Sequence, residues 1–348
     1  MPVAPHAARP AALLATGFIA TGLLTGLVAG CGTSGASGQG TVTPAEPAVA
    51  PDGGRVPSGT LVPLGAPATE VVVDPRTRTV AVALLGPPRL LLRALDDPAS
   101  ARQIPLPGPA TDLVLAAERD ELLVPVSTPG CLIRVPLGGG APSRIDVGGA
   151  PRGAVAVGHL TVIALGDQLA VFDGDRARAP IRGFLDAARL VPIGDPAGTT
   201  IGVLDRRRSA MSVVDLSSGQ ISPALRAGDG AADAVADRFG RMLVTDARDG
   251  ELLAFADNPP MLRQRFPLPG VPYGLAYDSQ RDLAWVSLTA RDEVVGLAVA
   301  AGEPTVVHRF AAVHQPDAVA VDPVSGRVLV VSASGMGLQV IDPERVVK

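Results

Sequence analysis

Eight side chains capable of chemistry stand near matching points of a repeat that runs through most of this 348-residue chain: Glu70, Asp112, Arg152, Arg189, Asp233, Tyr273, His314 and Asp317. Carboxylates, guanidinium groups, a phenol and an imidazole gathered on one face could hold a small polar ligand or a partner protein. The same residues serve equally well as solvated loop positions, and His314 as one that hydrogen-bonds backbone. Arg206, Arg207, Arg208, Arg248 and Arg291 fall on outer loops of the same face. The arginine triplet reads as a solvated hairpin tip or as a contact for an anionic envelope lipid. The alternative chemistry is hydrolysis or elimination with a divalent metal held by these carboxylates and His314. Ligands supplied by separate repeats have no fixed spacing, so the metal ligands are unknown at this level.

Signatures of catalysis within one element are missing. The chain has no His-Glu-x-x-His, no Cys-x-x-Cys, no Walker loop and no Gly-x-Ser-x-Gly elbow. Gly138-Gly139-Gly140 lies between strand-like runs with no helix following to hold a phosphate. Asp173-Gly174-Asp175 and the acids from Asp229 to Asp237 are too sparse for a calcium loop. No cofactor is predicted. A formal charge of −4 with ten aromatic side chains supplies neither a cationic stripe nor a stacking platform, which excludes nucleic acid as a partner. Arginine outnumbers lysine 29 to 1, which reflects genome composition more than a selected surface.

The repeat that positions the eight residues is the strongest pattern in the chain. Runs beginning at Pro67, Pro109, Pro151, Pro272 and Pro316 align, with spacings of 42, 42, 121 and 44 residues. Weaker copies at Ala187 and Ala231 fill the long gap and bring the count to seven. Each unit opens with an apolar run, turns at a site such as Asp74-Pro75 or Asp322-Pro323, and continues through two more β-rich runs to a polar fourth. Four short strands per unit is the layout of a propeller blade. The last unit stops after its third run at Val340-Ile341-Asp342, while Gly59-Thr60-Leu61-Val62-Pro63-Leu64-Gly65 resembles an unpartnered fourth. The predicted fold is an all-β, seven-bladed propeller over residues 59–348, closed by the N-terminal strand pairing into the last blade. In that fold the loops bearing the eight residues share one face around a central channel.

Several segments carry a family resemblance. Leu243-Val244-Thr245-Asp246, Trp285-Val286-Ser287-Leu288 and Val330-Val331-Ser332-Ala333, followed by Val213-Val214-Asp215 and Val340-Ile341-Asp342, resemble the YVTN and NHL-like seven-bladed propellers. No unit spells the full motif, so the resemblance implies the architecture and leaves the chemistry open.

The N-terminus reads as an address. One arginine, Arg9, precedes an apolar stretch from Ala11 to Val28 and small residues, the order of a signal peptide over residues 1–30. Val28-Ala29-Gly30-Cys31 resembles the lipobox of bacterial lipoproteins, which implies acylation of Cys31 and a membrane partner. At roughly 0.8 kcal/mol per buried CH₂, two or three acyl chains hold a protein on a bilayer without a spanning helix. Cys131 is then the remaining cysteine, a buried small hydrophobe in a strand more than a reactive thiol. Residues 31–58, rich in Gly, Ser, Thr, Pro and Ala, read as a flexible tether about 30 Å long on average. Together these features resemble an actinobacterial cell-envelope lipoprotein on the extracytoplasmic face of the membrane, binding an envelope protein or small polar ligand.

Overall fold

The computed structural model describes residues 40–51, 55–97, 100–194 and 200–345. Cys31, the signal segment and the first part of the expected tether lie outside the described residues. Apart from a 3-10 turn at Ala117–Arg119, the regular elements described are all strands. Among the described residues no helix is long and apolar enough to cross a membrane.

The strands form five four-stranded antiparallel sheets and one nine-stranded sheet. In the first sheet Ala68–Asp74 pairs with Thr79–Leu84, then Arg89–Ala94, then Ala101–Pro105. The hairpin between the first two strands turns on Asp74, whose carboxylate accepts the Arg76 amide and the Thr77 hydroxyl. Asp278 and Asp322 turn their hairpins in the same way. This side chain to backbone bonding is the physical reason the repeat keeps an acid at that point. Second and third strands, such as Leu283–Leu288, are buried along their length, while fourth strands such as Pro260–Pro267 alternate toward solvent.

The fold is a β-propeller, with five separate four-stranded blades where the repeat predicted seven. The difference falls on residues 153–226. There Ile181–Pro192, a 12-residue strand, pairs with both Gly166–Asp173 and Thr200–Asp205, joining two repeat units into one sheet. Five units place a proline at or shortly before the inner strand, where the missing N–H and fixed φ separate it from the preceding outer strand, and the copies at Ala187 and Ala231 do not. The Ala231 copy forms its own sheet without that proline, so its absence at Ala187 does not by itself account for the unbroken strand Ile181–Pro192.

At the ends, Thr60–Val62 pairs antiparallel with Leu338–Ile341, in register Thr60 to Val340. Ala318, Ala320, Leu329 and Val331 of the last sheet share a core with Ala68, Val71, Val80 and Val82 of the first. Gln339, fully buried, ties this region together: its side chain accepts the Val313 amide and donates to the Ser58 and Ala311 carbonyls.

The expected free tether is instead partly docked. Residues 42–48 cross one face of the propeller, with the Val42 amide donating to the Arg207 carbonyl and the Ala48 amide to Thr289 Oγ1. Arg206 donates to the Ala45 carbonyl and Arg248 to that of Thr43. Composition alone suggested a solvated coil, because the anchoring donors and acceptors lie on blades some two hundred residues away.

Candidate functional site at the channel mouth

Inner strands carry the site, and most carry it at an irregularity. Their pairing with the second strands slips between Ala68 and Glu70, Ala187 and Arg189, Ala231 and Asp233, Pro272 and Leu275, and Pro316 and Ala318. Such bulges re-aim side chains at the rim of a sheet. Here they turn Glu70, Arg189, Asp233, Tyr273 and Asp317 into the channel mouth. Backbones approach closely at this level: a Cβ on Gly153 would lie 2.2 Å from the Ala188 carbonyl oxygen, and one on Gly274 2.6 Å from that of Asp317. Hydroxyl groups on the second strands fix the bulges. Thr245 Oγ1 accepts the Asp233 amide and donates to the Tyr273 carbonyl of the neighbouring sheet, and Ser287 Oγ accepts the Gly274 amide.

Arg189 stands at the centre of the arrangement. Its Nη2 donates to Glu70 Oε1 at 3.0 Å, its Nη1 to Asp112, and its Nε faces Asp233 Oδ1 at 3.1 Å. One guanidinium therefore joins acids from three other sheets. Burial, together with the Asp112 and Asp233 charges, outweighs the attraction of Arg189 and pushes the Glu70 carboxyl up to about 8. Asp112 is raised for the same reasons, burial first. The three acids hold Arg189 protonated against its own burial.

Beside this cluster lies a cavity of about 640 Å³, lined by the four clustered residues and by Arg152, Tyr273 and Asp317. Seven of the eight predicted residues are thus brought together. Arg152 Nε faces Asp186 Oδ1 at 3.6 Å. Asp317 Oδ1 has no hydrogen-bond partner, and burial, then the Glu46 charge, pushes its carboxyl up to about 6. Burial also raises the Tyr273 phenol.

His314 is the exception. Its Nδ1 lies 2.7 Å from Asp292 Oδ2, in a separate hollow beside Arg55, Arg291 and Met336. Asp292 also accepts the Gln315 amide, so the pair fixes a loop entering the last sheet. Acids at another point of the repeat, Asp205 and Asp246 at the ends of second strands, hold backbone ahead of the site residues in their own units, through the amides of Leu185 and Asp186 and of Asp229 and Gly230. A loop-holding role explains His314 without any ligand.

Sequence reasoning missed Asp186, Arg206 and Glu46 as lining residues. Asp186 was legible in principle, directly before the weak repeat copy at Ala187. Arg206 was assigned to an outer loop, and nothing marked Glu46, since it comes from the segment read as a tether. Among the described residues one acidic trio, Asp246, Asp249 and Glu251, has ligand atoms within 4.8 Å of one another. Its acids are already engaged by backbone amides and by Arg265.

No protein-family profile matches the chain, and no curated protein matches it. Solved structures do. Hydrazine synthase of Kuenenia stuttgartiensis superposes with a TM-score of 0.69 at 14% identity, over 84% of this chain and 100% of that one. A streptogramin B lyase gives 0.67 at 8% identity, over 82% and 96%. The propeller domain of Myceliophteria thermophila Cps50 (Swd1) gives 0.67 at 13%, over 81% and 97%. Identities this low establish the propeller fold and nothing of its chemistry.

Proposed function

We propose that this chain is a lipoprotein of the cell envelope, held on the extracytoplasmic face of the membrane through Cys31, whose propeller binds a small polar ligand or a partner protein at the channel mouth. The observation that carries the binding role is the Asp317 carboxylate: an oxygen without a partner on a cavity of about 640 Å³. A buried acceptor left open costs about 1–3 kcal/mol, a penalty that a ligand with a hydrogen-bond donor removes. An amine-bearing or hydroxyl-bearing ligand fits that description best.

The finer architecture belongs to the same proposal. The nine-stranded sheet supports a count of seven blades, because residues 153–177 and 181–226 each supply the strands of one. Closure of the ring is supported by the pairing of Thr60–Val62 with Leu338–Ile341 and by the core shared between first and last sheets. The YVTN-like assignment and the actinobacterial envelope setting rest on the sequence resemblance alone.

The lyase or hydrolase alternative has less behind it. A guanidinium sits among the three carboxylates that would hold a metal, and His314 faces a different hollow.

Two experiments test the proposal. Labelled palmitate is expected to enter the wild-type chain and not a Cys31→Ser variant, which should move from the membrane to the soluble fraction. Calorimetry of the soluble variant against a panel of amines and sugars is expected to find a ligand whose affinity falls at least tenfold in Asp317→Ala. A panel without binders would overturn the ligand reading.

A further inference from the structure

The segment laid across the propeller face is held in an unusual way for a linker. Its contacts go almost entirely through its backbone: the Val42 and Ala48 amides donate to Arg207 and Thr289, and the Thr43 and Ala45 carbonyls accept from Arg248 and Arg206. One side chain is swallowed. Ala45 is 3% exposed, in a nest formed by Ala232 and Ala247 with Val271 and Tyr273. The nest is sized for a methyl group: a Cβ on Gly230 would lie only 3.1 Å from that of Ala45. Glu46, the next residue, lines the channel cavity and stands 3.9 Å from Arg206.

Backbone bonds with one small side chain in a pocket are how an extended peptide is recognised with modest sequence demands. Pro44 and Pro47 flank the Ala45-Glu46 pair and keep the segment extended at low entropic cost. We propose that this face carries a peptide-binding groove, occupied in cis by residues 42–48. Its ligand in trans is an extended Ala/Pro-rich segment of a partner protein, with a small residue for the nest followed by an acid. The groove gives one partner class to the binding role proposed above. Because the segment's Glu46 stands over the mouth, exchange also uncovers the cavity.

The test uses the full chain carrying Cys31→Ser and a fluorescent peptide of residues 41–51, Thr-Val-Thr-Pro-Ala-Glu-Pro-Ala-Val-Ala-Pro. Ala45→Arg expels the cis segment from the nest; Ala48→Pro removes its amide to Thr289 and leaves the groove residues intact. Either variant is expected to bind the peptide at least tenfold more tightly than the wild type, by fluorescence polarisation. Adding Arg206→Ala and Arg248→Ala to the same background is expected to abolish that gain, and a peptide with Arg at the Ala45 position is expected not to bind. The inference is overturned if both released variants, shown folded by thermal melting, ignore the peptide, or if binding survives loss of the two arginines. The assay involves neither membrane nor small ligand, so its failure is distinct from failure of the anchor or the channel-mouth reading.

Discussion

Arg189 and Glu70 lie 119 positions apart in the chain, and the guanidinium Nη2 of the one meets the carboxyl Oε1 of the other at 3.0 Å across the channel. With Asp112 and Asp233 on the same guanidinium, the contact makes Arg189 a rivet between sheets. Three acids around one base leave an excess of negative charge, and the Glu70 proton relieves it.

Glu70 therefore links stability to pH. Its folded value, about 8, lies above its ordinary 4.5, so the folded protein holds a proton that the unfolded chain releases. The contribution is complete below pH 4.5 and is lost as pH rises through 8. Glu70→Gln is expected to flatten the decline in melting temperature between pH 6 and 9, and to be the more stable protein at pH 9. Asp112, raised in the same cluster, and Asp317 and Asp246, raised to about 6, act in the same direction, so the Glu70 contribution is read from the difference between wild type and Glu70→Gln and not from either profile alone. Parallel profiles would refute the assignment.

Removing the rivet should be severe. Arg189→Met leaves three acids facing one another, a loss of about 3 kcal/mol by analogy with broken buried ion pairs. Denaturant melts at pH 7 read the loss directly. It should shrink at pH 4, where protonation removes the repulsion, and Arg189→Lys should recover only part, since one ammonium lacks the fork that reaches three acids.

Gln339→Leu tests the junction of the chain ends. The variant strands the Val313 amide and the Ser58 carbonyl, at about 1–3 kcal/mol for each group left unsatisfied. Hydrogen exchange is expected to accelerate at residues 60–62 before it does in the second and third strands elsewhere. Uniform acceleration would mean that this junction is no weaker than the rest.

Cys131 is fully buried, and burial raises its thiol above the ordinary range. In the Cys31→Ser chain a thiol reagent should label nothing until denaturant unfolds the protein, and then one site. Rapid labelling of the native chain would contradict both burial and the inert role.

The blade plan was legible because each repeat unit writes its own local physics. An acid turns the hairpin by capping nearby amides, a proline opens the inner strand, and apolar runs mark the buried middle strands. The junction of the ends was legible too, since three strand-like runs at one terminus and one at the other leave open edges that must be paired. Ala187 and Ala231 both lack the proline, yet at Ala187 alone the strand pairs on both sides, a difference that local signals do not carry.

That seven candidate residues share one face follows from their common phase in the repeat. Which of them touch does not. Arg189 meets acids 77 and 119 positions away because bulges aim Arg189 and Glu70, and the loop before Val114–Ala116 aims Asp112, at one axis, and ion pairs between repeats leave no spacing in the chain. His314 belongs to the same unit as Asp317 but stands three positions earlier, in the loop before the inner strand, where it meets Asp292. The docked segment is the clearest case. Composition correctly reads residues 42–48 as unable to form a core of their own, whereas their fixed path is decided by backbone donors and acceptors that only the assembled face presents.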